Sequence, residues 1–214
     1  MFTQKTLAAA AAIALLPAGA FAGEFSASAG FEASIDFDDS LTATGDAVEL
    51  TLGGEYAEGG FSAALDLTFA ETGGTGDEVE TELSLAYAGD ISDKVGYEVS
   101  VTSNWLNDSG YDTTEAELAF SFALAEGIDG SYAYTYDLET EADYHEAAIE
   151  FALGDWSAET VLGLDPATDV VAWELNFGYE FENGIEMGIE FSDDDAPGTD
   201  LGASLIFGYS WDLI

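Results

Sequence analysis

The sequence predicts an all-β fold, an antiparallel up-and-down barrel of twelve strands, and three observations carry that prediction. Apolar residues recur at every second position through twelve separate runs, the period of a strand with two unlike faces. The connections between runs alternate between short turns and longer polar loops. Within the runs, the acidic residues keep to the parity opposite the apolar ones.

Ahead of the first run, residues 1–22 read MFTQKTLAAAAAIALLPAGAFA. One charge at Lys5, an apolar stretch from Leu7 to Leu16, Pro17 and the small-residue ending Ala20-Phe21-Ala22 make the layout of a cleaved secretory signal. The stretch is too short to cross a bilayer as a helix, and it has no polar face for a retained amphipathic one. Cleavage is expected between Ala22 and Gly23, leaving 23–214 as the barrel domain.

The first run sets the pattern with Phe25, Ala27, Ala29, Phe31, Ala33, Ile35 and Phe37 on one face, and Glu32, Ser34 and Asp36 on the other. Next come Val48-Leu50-Leu52-Tyr56, Phe61-Ala63-Leu65-Leu67-Phe69, Val79-Leu83-Leu85-Tyr87, Val95-Tyr97-Val99-Val101-Trp105 and Ala116-Leu118-Phe120-Phe122-Leu124. The second half continues with Ile128-Tyr132-Tyr134-Tyr136-Leu138, His145-Ala147-Ile149-Phe151-Leu153 and Trp156-Ala158-Thr160-Leu162-Leu164. It closes with Val171-Trp173-Leu175-Phe177-Tyr179-Phe181, Ile185-Met187-Ile189-Phe191 and Leu201-Ala203-Leu205-Phe207-Tyr209-Trp211-Leu213. Short turns are expected at 57–60, 89–94, 125–127, 154–155 and 182–184, the last holding an Asn183-Gly184 hairpin pair. Longer loops are expected at 38–46, 70–78, 106–112, 139–144, 165–169 and 192–199, which puts both barrel ends on the short-turn side.

A soluble two-sheet sandwich also alternates, so the direction of the apolar face needs a second argument. Phe25, Tyr56, Tyr87, Tyr97, Trp156, Tyr179, Tyr209 and Trp211 lie near the short-turn ends; Phe37, Phe69, Trp105, Tyr136, Trp173 and Phe191 lie near the loop ends. Aromatic rings banded at both strand ends suit the two interfaces of a membrane, where Tyr and Trp pair an apolar ring with a polar atom for the headgroup level. Runs of this length fit tilted membrane strands, and lipid demands that no strand edge stay open. The apolar face is therefore expected to meet lipid and the acidic face to line a lumen. A secreted soluble acidic β-sandwich is the alternative.

Composition narrows the partners. The chain holds 44 Asp and Glu against two Lys, with one His, no Cys and a formal charge of −42. Such a charge repels nucleic acid. A hydrophobic fraction of 48% separates the chain from solvated acidic tails, which are disordered.

The apolar runs end in Phe207-Gly208-Tyr209-Ser210-Trp211-Asp212-Leu213. With the signal and the twelve alternating strands, this segment resembles the small outer-membrane β-barrel porins of Gram-negative bacteria. Gly208, Trp211 and Leu213 resemble the pattern by which the barrel-assembly machinery recognises that class, although this chain ends in Ile214 where the class usually ends in Phe. The resemblance implies an outer-membrane location, contact with outer-membrane lipid and passive diffusion of small hydrophilic solutes.

Twelve strands lie between side-chain-filled eight-stranded barrels and water-filled sixteen-stranded ones. The expected lumen pairs small residues such as Ser34, Thr51, Ser100 and Gly163 with the carboxylates Asp36, Glu49, Asp66, Glu80, Glu82, Glu98, Glu115, Glu117, Glu146, Glu150, Glu159, Glu174, Glu186 and Glu190. These fourteen are the candidate pore-lining residues, and their charge favours cationic or neutral solutes. A non-conducting structural or surface barrel is the alternative.

No catalytic residue and no enzyme activity are expected. His145 has Ala147 as its same-face neighbour where a nucleophile would be needed, and it reads as an interfacial histidine packed beside Tyr144. No resident cofactor or metal site is expected. The acidic loops at Asp38-Asp39, Asp77-Glu78 and Asp193-Asp194-Asp195 offer oxygen atoms for weak Ca²⁺ or other cation binding, without the spacing of a structured calcium loop.

Overall fold

A computed structural model describes residues 23–38, 42–72, 78–106, 110–196 and 201–213; the expected signal, Asp39 and Asp77 lie outside them. The first six strands are β1 (Glu24–Phe37), β2 (Ala43–Glu58), β3 (Phe61–Thr72), β4 (Glu78–Ser92), β5 (Val95–Leu106) and β6 (Gly110–Ala125). The next six are β7 (Ile128–Asp137), β8 (Asp143–Leu153), β9 (Trp156–Asp165), β10 (Val170–Glu180), β11 (Ile185–Asp194) and β12 (Gly202–Asp212). Each strand pairs antiparallel with its sequence neighbours, and β12 pairs with β1 from Ser28–Asp212 to Phe37–Ala203, closing the barrel. Closure leaves no strand edge with unpaired backbone groups, the condition for crossing lipid with strands.

The strands follow the expected runs but continue beyond them at the loop ends, and at the other end β4 runs to Ser92 through most of the expected 89–94 turn, leaving residues 93–94 as the turn. β2 begins at Ala43 instead of near Val48, and β6 begins at Gly110 instead of beyond Asp112. Polar residues can still pair their backbones there because ladder bonds do not require apolar side chains. The pairing register shifts at Asp36/Phe37 and at Asn104/Trp105 near those ends. The short turns are tight. Gly60 (φ 86°) and Gly127 (φ 69°) occupy left-handed backbone where a Cβ would strike the carbonyl oxygens of Ala88 and Ala152.

Among the described residues there is no packed apolar interior. The buried apolar residues among those described are Ala29, Ala119, Ala148 and Val161, all small or medium, and no described side chain falls below 2% exposure. The large apolar side chains are instead on the outside: Leu50, Leu65, Leu85, Val101, Leu118, Ile149, Leu162, Phe177 and Phe207 are all among the exposed ones. A soluble protein of this size buries such groups, so the fold is inside out relative to a globular core. The aromatic bands form real contacts. At the short-turn end, Trp156 meets Tyr179 with ring centroids 4.7 Å apart and Tyr209 meets Trp211 at 5.0 Å; at the loop end, Trp105 meets Tyr111 at 6.1 Å.

Candidate functional site

Alternation fixes what lies opposite the exposed apolar face. On β8 the residues Glu146, Ala148 and Glu150 are more buried than Ala147, Ile149 and Phe151, and on β9 Val161 and Gly163 are buried between exposed Thr160, Leu162 and Leu164. By register, all fourteen candidate residues share this second face: Asp36 on β1, Glu49 on β2, Asp66 on β3, Glu80 and Glu82 on β4, and Glu98 on β5. Glu115 and Glu117 of β6 and Glu146 and Glu150 of β8 follow. Glu159 of β9, Glu174 of β10, and Glu186 and Glu190 of β11 complete the set.

The register brings some of them together as directly opposed pairs. Asp66 faces Glu82, Glu150 faces Glu159, and Glu49 faces Glu32, which the same parity places on this face. Opposed like charges repel at such spacing. The groups that hold them are neutral donors. Ser204 Oγ donates to Asp36 Oδ1 at 2.7 Å, Thr135 Oγ1 to Glu117 Oε2 at 3.1 Å, and Ser84 Oγ to Glu82 Oε1 at 3.3 Å. No cation is supplied by the wall itself: Lys94 is in the turn after β4 and His145 is on the apolar face. Among the described residues, Glu146 and Glu174 are the most enclosed carboxylate-bearing residues, 6% and 8% exposed. Near the short-turn end a recess of about 290 Å³ is bordered by Glu32, Ser157, Gly178, Glu186, Gly188 and Gly208.

The expected packing of His145 beside Tyr144 is corrected. Successive strand residues point to opposite faces, so the two cannot stack. His145 instead lies against Tyr134 and Tyr132 across β7, with ring centroids 5.1 and 6.2 Å apart and the Tyr132 hydroxyl 2.7 Å from Nδ1. Asp143 Oδ2 is 3.7 Å from its Nε2. Tyr144 sits on the carboxylate face, its hydroxyl over Gly163, where a Cβ would collide with it. Parity with Glu146 could have placed it there, but its position at the expected loop end hid the signal.

The acidic loops use their oxygens locally. The backbone N–H groups of Ala196 and Val171 donate to Asp194 and Asp195 at 2.9 and 2.8 Å, and Thr42 N–H donates to Asp38 at 2.8 Å. Among the described residues, no group of three or more His, Asp or Glu is arranged to hold a metal ion.

No protein-family model matches the chain, and no curated protein does. Solved structures do. A KdgM porin superposes with a TM-score of 0.64 at 11% identity, covering 85% of this chain and 99% of that one. A KdgM porin in complex with disordered oligogalacturonate gives 0.65 at 11% identity, covering 86% and 99%. The NanC porin gives 0.56 at 15% identity, covering 86% and 100%. At these identities the likeness is one of architecture: this chain has the fold of the small porin barrels, twelve antiparallel strands closed with an apolar exterior.

Proposed function

We propose that the chain is an outer-membrane channel for passive diffusion of small hydrophilic solutes, preferring cations. One observation carries this reading: a closed barrel puts its large apolar side chains outside and places carboxylates, with no Lys or Arg among them, on the opposite face. Such a face lines a water-filled path because charged groups this numerous need hydration or counterions. Low-dielectric walls around that path strengthen the attraction of cations and the exclusion of anions. The fourteen carboxylates from Asp36 to Glu190 are the proposed pore-lining groups, with Glu32 added by the register. Oligogalacturonate, the ligand held by one KdgM porin, is a polyanion that this wall would repel. The mature barrel begins at Gly23, after residues 1–22 are removed, and the outward Trp211 and Leu213 near the C-terminus serve recognition by the assembly machinery.

The test is ion conductance of refolded protein in a planar bilayer, with the reversal potential read across a KCl gradient. Discrete steps with a cation-side potential are expected. An anion-side potential overturns the selectivity, and a folded barrel that never conducts overturns the channel.

A further inference from the structure

Among the described residues inside the regular pairing of the strands, Tyr144 carries the one aromatic ring on the carboxylate-bearing face. A strand side chain ordinarily stands away from its sheet, and on this face of a closed barrel that direction is the lumen. Tyr144 instead leans from β8 onto β9. A Cβ at position 163 would lie 2.6 Å from its Cζ and 3.2 Å from its Cε2, and closer still to its hydroxyl oxygen. Gly163 is accordingly buried, whereas Gly30, Gly178, Gly188 and Gly208 of the same face are partly open.

The ring lies in the one gap that its neighbours leave. Thr135 of β7 is directly opposite Tyr144, and its hydroxyl is tied to Glu117. On β9 the next residue of this face after Gly163 is Asp165, whose carboxylate is fixed in its loop by Ala167 N–H and the Thr168 hydroxyl, both at 2.8 Å. Along β8 the next is the enclosed Glu146. Any side chain at position 163 closes the gap, and the ladder that sets Gly163 opposite Glu146 and Ala172 holds the backbone in place. The displaced ring then has the lumen left to it.

We infer that Gly163 is a positioning residue of the channel, seating the Tyr144 ring against the wall and so keeping the loop-side mouth of the lumen wide. Tyr144 is the second residue of β8, counted from its loop end, and Gly163 is the third from the loop end of β9, which puts the pair at that mouth. This inference rests on the channel reading and names the residues that set its bore.

The experiment is unitary conductance in a planar bilayer of the unsubstituted barrel, Gly163→Ala, Gly30→Ala and the double variant Gly163→Ala/Tyr144→Ala. Gly30 lies on the same face with Thr51 Cβ 3.9 Å from where its own Cβ would be, so its substitution controls for the loss of a glycine. Gly163→Ala is expected to lose unitary conductance, Gly30→Ala to keep it, and the double variant to recover it because no ring is left to displace. A glycine that serves stability alone would not be relieved by removing a second side chain. Full conductance in Gly163→Ala, or a double variant as low as the single one, overturns the positioning role alone. NMR of the glycine-labelled barrel in detergent micelles reads the seat without any current and without Gly163→Ala having to refold. The Gly163 Hα signals are expected to be displaced by the ring current and to move in Tyr144→Ala; signals that ignore that substitution overturn the seat. A barrel that shows the ring shift and never conducts overturns the channel reading, and the bore with it.

Discussion

Val101→Arg separates a lipid-facing exterior from a water-facing one. Val101 is 42% exposed on β5 between Leu85 of β4 and Ala116 of β6. It lies four residues from Tyr97 and four from Trp105, the aromatic residues of that strand. At about 3.4 Å per residue the two rings are ~27 Å apart along the strand, and a tilt near 40° reduces this to ~20 Å of depth. Val101 is therefore about 10 Å from either band, at the middle of the apolar belt. An arginine there costs about 2–4 kcal/mol in a bilayer, or about 30- to 700-fold in the unfolding equilibrium. Leu153→Arg, at the short-turn end of β8 where Leu153 is 77% exposed, costs about 0–1 kcal/mol by the same depth dependence. In water, exposed substitutions at both positions would stay within about 0.5 kcal/mol. The assay is reversible urea unfolding of the barrel refolded into lipid vesicles, followed by tryptophan fluorescence. Equal costs at 101 and 153 would refute the assignment of the apolar face to lipid, whatever the barrel's conductance.

Glycine substitutions at the turns should rank by what a Cβ meets. Gly154→Ala enters open space and bears only the left-handed backbone penalty of ~1–2 kcal/mol, whereas Gly60→Ala and Gly127→Ala also push on carbonyls fixed by strand pairing. Urea midpoints should fall further for the latter two, and an identical fall for all three would contradict the collision. Tyr132→Phe removes the hydrogen bond to His145 and should lower stability by ~0.5–1.5 kcal/mol while leaving the reversal potential unchanged. A shifted potential would put that pair in the conduction path. Calcium and sodium at equal ionic strength should give the same melting temperature, because Asp194 and Asp195 already accept backbone N–H groups. A rise with calcium alone would reveal a structured ion site.

The sequence by itself determined the strand count, the alternation of short turns with longer loops and the sorting of residues onto two faces. All three follow from the period of two, which is a local property: once Phe31 points one way, Glu32 must point the other. The location of the fourteen carboxylates on a shared face was legible for the same reason. Only the tertiary structure decided who meets whom around the barrel. Closure of β12 onto β1 depends on the registers of all twelve strands, which no single run encodes. The pairing of His145 with Tyr132 is likewise a cross-strand fact, where adjacency in the chain had suggested Tyr144. The seat of the Tyr144 hydroxyl over Gly163 is another such fact, made by β8 and β9 side by side. Period assigns a side chain to a face; register assigns its neighbours, and the chemistry of a site belongs to the neighbours.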